Sequence, residues 1–511
     1  MAAGSITVVY ISGSSAFRDE MVNTLSSICA TGSFDSYGAD ASGDATNDPG
    51  TVRNSWDGYA TSTAGPFYSY NGPDFRGYAC TLSSTAASSA PALTTLEGTD
   101  ILVYYRAEGG SVWGVVPVAT GAKIQHLVIP NPASVPAGEE ACKLYATGVV
   151  QDNGVTSPIH SGSSADGHHY ICSVPMPLYN TNGATTAPSG SKPGWWLPYD
   201  NYVGTNLPTY PDAVDLACDV PMTFGMSDVE PAALSGTNYP KNYKECGGGS
   251  YGLSPPSAVS TVTTTPLLQQ MFAILTDTSG SATSAITTLS RQSINGIFSG
   301  QYTNWSQVPE SGVSAPITVC RRDPGSGTET MSSIYFGNVY CGSASTLEAQ
   351  TPFAAGNVIN GTILGPGILQ FATTGDVQAC VGANANSIGI SSWSSSAPSG
   401  AKFIAVDGET PSQTALLTGA WHDWTEVVAV QPPGFDGTTN PGLLVTGLIQ
   451  VTADANGGAV KSNTAYAYIP NQPDAQSGDN TPSVANLSKF IAVATKGGDT
   501  CKEIVQPSNT D

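Results

Sequence analysis

The chain carries little charge. Only 11% of its 511 residues are Asp, Glu, Lys or Arg, and the 17 Lys and Arg are outnumbered by 39 Asp and Glu. The formal net charge is −22, and no cluster of basic residues interrupts it. Nucleic acid and anionic membrane surfaces both need basic patches, so neither is expected as a partner. No apolar run approaches the ~20 residues of a membrane-spanning helix. The ten cysteines include no C-x-x-C pair, which argues against a thioredoxin-type motif and a zinc ribbon. No HExxH motif occurs, no Gly-Lys-Ser/Thr closes a nucleotide-binding P-loop, and no repeat of fixed period suggests a solenoid.

What remains is a long chain, 40% hydrophobic, with 57 Gly and 36 Pro. That is ample for a core and too loop-rich for a helical bundle. Its length predicts two lobes or one lobed domain with insertions. An even number of widely spaced cysteines fits disulfides in an oxidising compartment. Sequence proximity suggests Cys29–Cys80, Cys142–Cys172, Cys218–Cys246 and Cys320–Cys341, leaving Cys380 with Cys501. No signal peptide is evident, so the chain reads as a mature secreted form whose export signal has been removed.

Ser5–Ile11 is rich in β-branched residues and reads as a buried strand. A Gly/Ser turn follows, then Phe17, Met21, Leu25 and Ile28 at helical spacing. Two stretches, about 31–98 and 113–220, are polar and read as insertions separated by the strand Asp100–Arg106. Further on, Leu267–Leu275 and Ser293–Phe298 read as helices and Ala315–Cys320 as a strand. Another helix starts near Thr328, and Ser387–Ser391, Phe403–Val406 and Thr464–Ile469 read as strands. A final helix is expected from Thr481 and Pro482 through Ile491. Alternating strands and helices predict an α/β fold.

The strongest chemical signal is Arg321-Arg322-Asp323-Pro324-Gly325-Ser326-Gly327-Thr328, placed after a strand and opening a helix. Glycines let the backbone approach a ligand, and the first N–H groups of a helix point outward. Ser326 and Thr328 add hydroxyls, and Arg322 offers a planar fork that matches two oxygens of a tetrahedral anion. Together these make an anion nest, or, read blandly, a well-capped helix after a tight turn. Gly13-Ser14-Ser15-Ala16 repeats the pattern at the first helix. Gly248-Gly-Ser-Tyr-Gly252 matches a nucleophile elbow in letters only, because no buried strand precedes it. No catalytic residues, metal or cofactor are expected; the spacing of His160, His168 and His169 matches no standard zinc site.

Several blocks in order resemble the phosphate-binding proteins of ABC importers, which have the type II periplasmic binding fold. The blocks are Ile11–Phe17, Tyr104–Ser111, Phe224-Gly-Met-Ser-Asp228, Ile294–Trp305, Val319–Thr328 and Asn386–Ile390. The resemblance implies a two-lobed α/β fold with a ligand cleft between the lobes. Lobe I would comprise 1–258 plus 399–511, with both insertions, and lobe II 259–398. It implies that Ser15 and the N–H of Ala16 donate to the anion, as does Gly110 or Ser111. Arg322, Ser326, Gly327 and Thr328 would complete the cage. Asp228 would accept a hydrogen bond from a protonated ligand oxygen, favouring hydrogen phosphate or arsenate over sulfate. Two departures stand out: Pro324 replaces the family's acidic residue before Gly-Ser-Gly-Thr, and the insertions roughly double the first lobe. The expected function is capture of phosphate or a similar oxyanion by hinge closure, with a transporter permease or another surface protein as partner. A surface interaction or assembly protein on the same fold, using its insertions as interface, is the alternative.

Overall fold

The computed structural model describes residues 7–31, 35–38, 75–86, 90–107, 110–124, 126–127, 143–145, 149–152, 155–158, 169–171, 216–217, 220–234, 257–322, 325–336, 362–365, 367–371, 374–454, 465–470 and 490–498. The first unit is β1 (Thr7–Gly13) and α1 (Arg18–Ile28). Phe17, Met21, Leu25 and Ile28 recur every three or four residues, and all are buried in one cluster. Strands β2 (Asp35–Gly38), β3 (Phe75–Thr81) and β4 (Asp100–Arg106) follow, then α2 (Ser111–Thr120) and β5 (Phe224–Ser227). β1 lies parallel between β4 and β5, so all three strands end at one edge of the sheet.

The next strand, β6, runs from Thr263 to Asp277. After it come α3 (Arg291–Phe298), β7 (Thr318–Arg322), α4 (Gly327–Tyr335) and β8 (Ile368–Phe371). The chain continues through α5 (Thr374–Ala383), β9 (Ser387–Ser392), β10 (Trp424–Gln431), α6 (Asn440–Ala453) and β11 (Tyr466–Tyr468). β7 pairs in parallel with β8 and β9, which makes a second parallel core.

β6 joins the two halves. From Thr263 to Met271 it pairs with β10, and from Phe272 to Thr276 with β9, antiparallel in both cases. The sheet therefore passes from one half to the other at Met271–Phe272. The register shifts between Pro266 and Leu268, where proline offers no N–H to the ladder.

The sequence reading of Leu267–Leu275 as a helix is overturned here. A short apolar run is ambiguous between helix and strand, and burial on both faces removes the alternation that identifies a strand. Every residue from Leu267 to Asp277 is buried. The stretch read as polar from residue 113 begins instead inside α2, a helix buried from Ser111 to Ala119. Its all-round apolar surface, its valines and Pro117 hid the helical period.

Cys29 joins Cys80 as the spacing suggested. Cys320 joins Cys380, not Cys341, and so Cys380 is not available to Cys501. Sequence proximity misled because α5 packs across β7 and brings Cys380 to it. The pairs Cys142–Cys172 and Cys218–Cys246 and the helix from Thr481 lie outside the described residues, although Ile491 bridges to Tyr468.

Candidate functional site

The loops that leave the carboxyl ends of β1, β4, β5 and β7 meet, at the edge where open α/β sheets hold ligands. Three of them open helices. Ser14 to Phe17 lead into α1, Gly110 precedes α2 and Ser326 caps α4. Helix starts present unpaired N–H groups and the positive end of the dipole.

The centre of the cluster is Asp228, 2% exposed. One carboxylate oxygen accepts from the Ser14 hydroxyl and the other from the Ser111 hydroxyl at 3.1 Å. Ser111 Oγ in turn accepts from the Asp228 N–H at 3.0 Å. Burial raises the Asp228 pKa, opposed by the hydrogen bonds of Ser14 and Ser111 and by the charge of Arg322. Ser14 is held in place from both sides. Its N–H donates to Met226 O at 2.9 Å, and its carbonyl accepts from the Tyr105 hydroxyl.

Arg322, the last residue of β7, is 1% exposed. Its Nη1 donates to Thr374 Oγ1 at 2.9 Å and reaches Ser15 Oγ at 3.3 Å. The preceding Arg321 pairs with Glu329 at 3.1 Å. Ser326 Oγ accepts from the Glu329 N–H at 3.0 Å, capping α4 while keeping its own O–H to donate. Thr328 is fully buried, and its Oγ1 makes no hydrogen bond to a described residue.

The two halves touch here through backbone. The Val112 N–H donates to Gly325 O at 2.8 Å. Gly110 has φ +77°, and a Cβ on it would stand 2.8 Å from Ser326 Cα and 3.2 Å from Arg322 Nη2. A side chain is excluded there by both conformation and space.

Of the nine residues expected at the site, Ser15, Gly110, Ser111, Asp228, Arg322, Ser326 and Gly327 are brought together by these contacts; Thr328 follows Gly327 in α4, and Ala16 follows Ser15, its carbonyl accepting from the Tyr466 hydroxyl at 2.7 Å. Two polar residues escaped the sequence reading. Ser14 bonds Asp228, a contact that the loop's pattern does not assign. Thr374 comes from another loop, and its signal was slight: a Thr at the start of a helix. Asp323 and Pro324 lie outside the described residues.

Two half-sheets sharing β6, with helix-opening loops gathered at their strand ends, define an α/β fold of the type II periplasmic binding-protein class. Residues 256–481 match the PBP superfamily domain, which covers β6 through β11. No curated protein sequence matches the chain. Among solved structures it is similar to an ABC-type phosphate transport receptor from Vibrio cholerae, at 18% identity and a TM-score of 0.27, over 38% of this chain and 69% of that one. It is also similar to a phosphate-binding protein from Stenotrophomonas maltophilia, at 19% identity and a TM-score of 0.30, over 47% and 72%.

Proposed function

We propose that the chain is an extracytoplasmic solute-binding protein that captures phosphate or a similar oxyanion between its two halves, without catalysing a reaction. The carrying observation is Arg322: a buried guanidinium whose Nη1 reaches Ser15 of one half and Thr374 of the other. A buried cation beside three helix starts suits a compact anion. Ser15, Ala16, Gly110, Ser111, Ser326, Gly327 and Thr328 supply neutral donors around it. Asp228 accepts from a protonated ligand oxygen, so hydrogen phosphate is preferred to sulfate. The lobes are 1–258 plus 399–511 and 259–398, and closure turns where β6 passes from one half-sheet to the other. The disulfides Cys29–Cys80 and Cys320–Cys380 support an oxidising compartment. Among the described residues no helix is long and apolar enough to cross a membrane. The closed form presents a surface to a transporter permease or another surface protein.

Calorimetric titration of ligand-stripped protein with phosphate, with sulfate for comparison, tests this. Phosphate binding that is lost in Arg322→Ala and is weak or absent for sulfate is the expected result. No binding of either anion overturns the reading and moves attention to the insertions as a protein interface.

A further inference from the structure

Helix α5 is tied to strand β7 at two points. Cys380 is joined to Cys320 by a disulfide, and Thr374, the first residue of the helix, accepts from Arg322 Nη1 at 2.9 Å. Cys320 and Arg322 lie on the same short strand. The disulfide thus holds the helix where its first hydroxyl meets the guanidinium. Thr374 is 8% exposed, so water competes little for this bond.

We propose that Thr374 is a positioning residue for Arg322, setting the orientation of its fork toward the bound anion; this rests on the oxyanion reading above. Nη1 has two N–H groups, and Thr374 and Ser15 accept from it at 2.9 and 3.3 Å. That turns Nη2 toward Gly110, 3.2 Å from the point a Cβ would occupy there, at the contact between the two halves. An Arg side chain is long and flexible, and a planar fork binds two oxygens only when its plane is held. A hydroxyl supplies that hold and adds no charge of its own. Ser15 belongs to the opposite half and reaches Arg322 only when the halves meet. Thr374 lies in the same half as β7, so its hold persists when the halves part.

The test is phosphate calorimetry on the full chain, with thermal melts to confirm folding. Thr374→Val keeps the shape and removes the acceptor. It should weaken phosphate about ten- to a hundredfold, the range for a hydrogen bond to a charged group. Thr374→Ser should restore binding to within about threefold of wild type. In an Arg322→Lys background, which has no fork to orient, Thr374→Val should change affinity less than about threefold. A wild-type chain that binds phosphate beside a Thr374→Val chain that binds it equally well overturns the positioning role alone. So does Thr374→Ser binding as weakly as Thr374→Val. A wild-type chain that binds no phosphate overturns the site reading and this proposal with it.

Discussion

Gly327 and Asp228 are packed so closely that no side chain fits between them. A Cβ on Gly327 would collide with the Asp228 Cβ and stand 2.7 Å from both Asp228 Oδ2 and Ser111 Oγ. Asp228 directly follows β5 of one half, and Gly327 opens α4 of the other. Gly327→Ala therefore opposes the meeting of the halves, while alanine itself favours the helix. Overpacking costs typically ~1–3 kcal/mol. Phosphate affinity should fall at least about tenfold, with little change in the melting temperature of the ligand-free chain. Wild-type affinity in this variant would mean that the contact is not part of the bound form.

Asp228 should give stability a pH signature. Burial raises its pKa above the ordinary 3.8, against the lowering influence of Ser14, Ser111 and Arg322. The folded chain then keeps this proton to higher pH than the unfolded chain. The resulting stabilisation is complete below 3.8 and is lost as pH rises through the raised value. Asp228→Asn has no proton to lose there. In melts of ligand-free protein from about pH 4 to about pH 8, the variant should gain on wild type as pH rises. The opposite trend would show that the hydrogen bonds and Arg322 outweigh burial.

Non-reducing peptide mapping should recover Cys29 linked to Cys80 and Cys320 linked to Cys380. The Cys320–Cys380 bridge spans a sequence separation of 60. Loop-closure entropy assigns such a bridge roughly 4 kcal/mol of stability. Replacing both residues by serine should lower the melting temperature clearly, whereas a Cys320–Cys341 peptide would contradict the packing of α5 on β7.

The segment carrying Lys496 fastens α4 to β10. Lys496 is 5% exposed, with its Nζ 4.8 Å from the Tyr335 ring and 4.5 Å from the Trp424 ring. It donates to the Tyr335 hydroxyl, which itself donates to Trp424 O at 2.9 Å. Burial pushes the Tyr335 phenol far above its ordinary value of 10.0, so it remains a neutral donor. The Lys496 backbone N–H donates to Glu426 Oε1 at 2.9 Å, a bond that replacing the Lys496 side chain leaves in place. Lys496→Met should cost about 1–2 kcal/mol, read as a lower melting temperature, with Tyr335→Phe milder. An unchanged melt would remove this fastening from the account.

The sequence by itself determined the local devices. Gly13–Ala16 and Gly325–Thr328 announce helix starts, because glycine and hydroxyl residues before an apolar helical period are the usual start signals. Phe17, Met21, Leu25 and Ile28 declare one buried face by their spacing, and Phe224–Asp228 ends a strand in an acid. Tertiary structure decided what depends on contact between distant segments. Leu267–Leu275 became a strand because both its faces are covered, and periodicity is blind to that. Ser14 met Asp228 because the end of β5 lies against the loop after β1. Cys320 found Cys380, and Arg322 found Thr374, because α5 crosses β7. Spacing along the chain carries the period of an element; which elements lie against each other is set by the burial of their faces, and only the folded chain contains that.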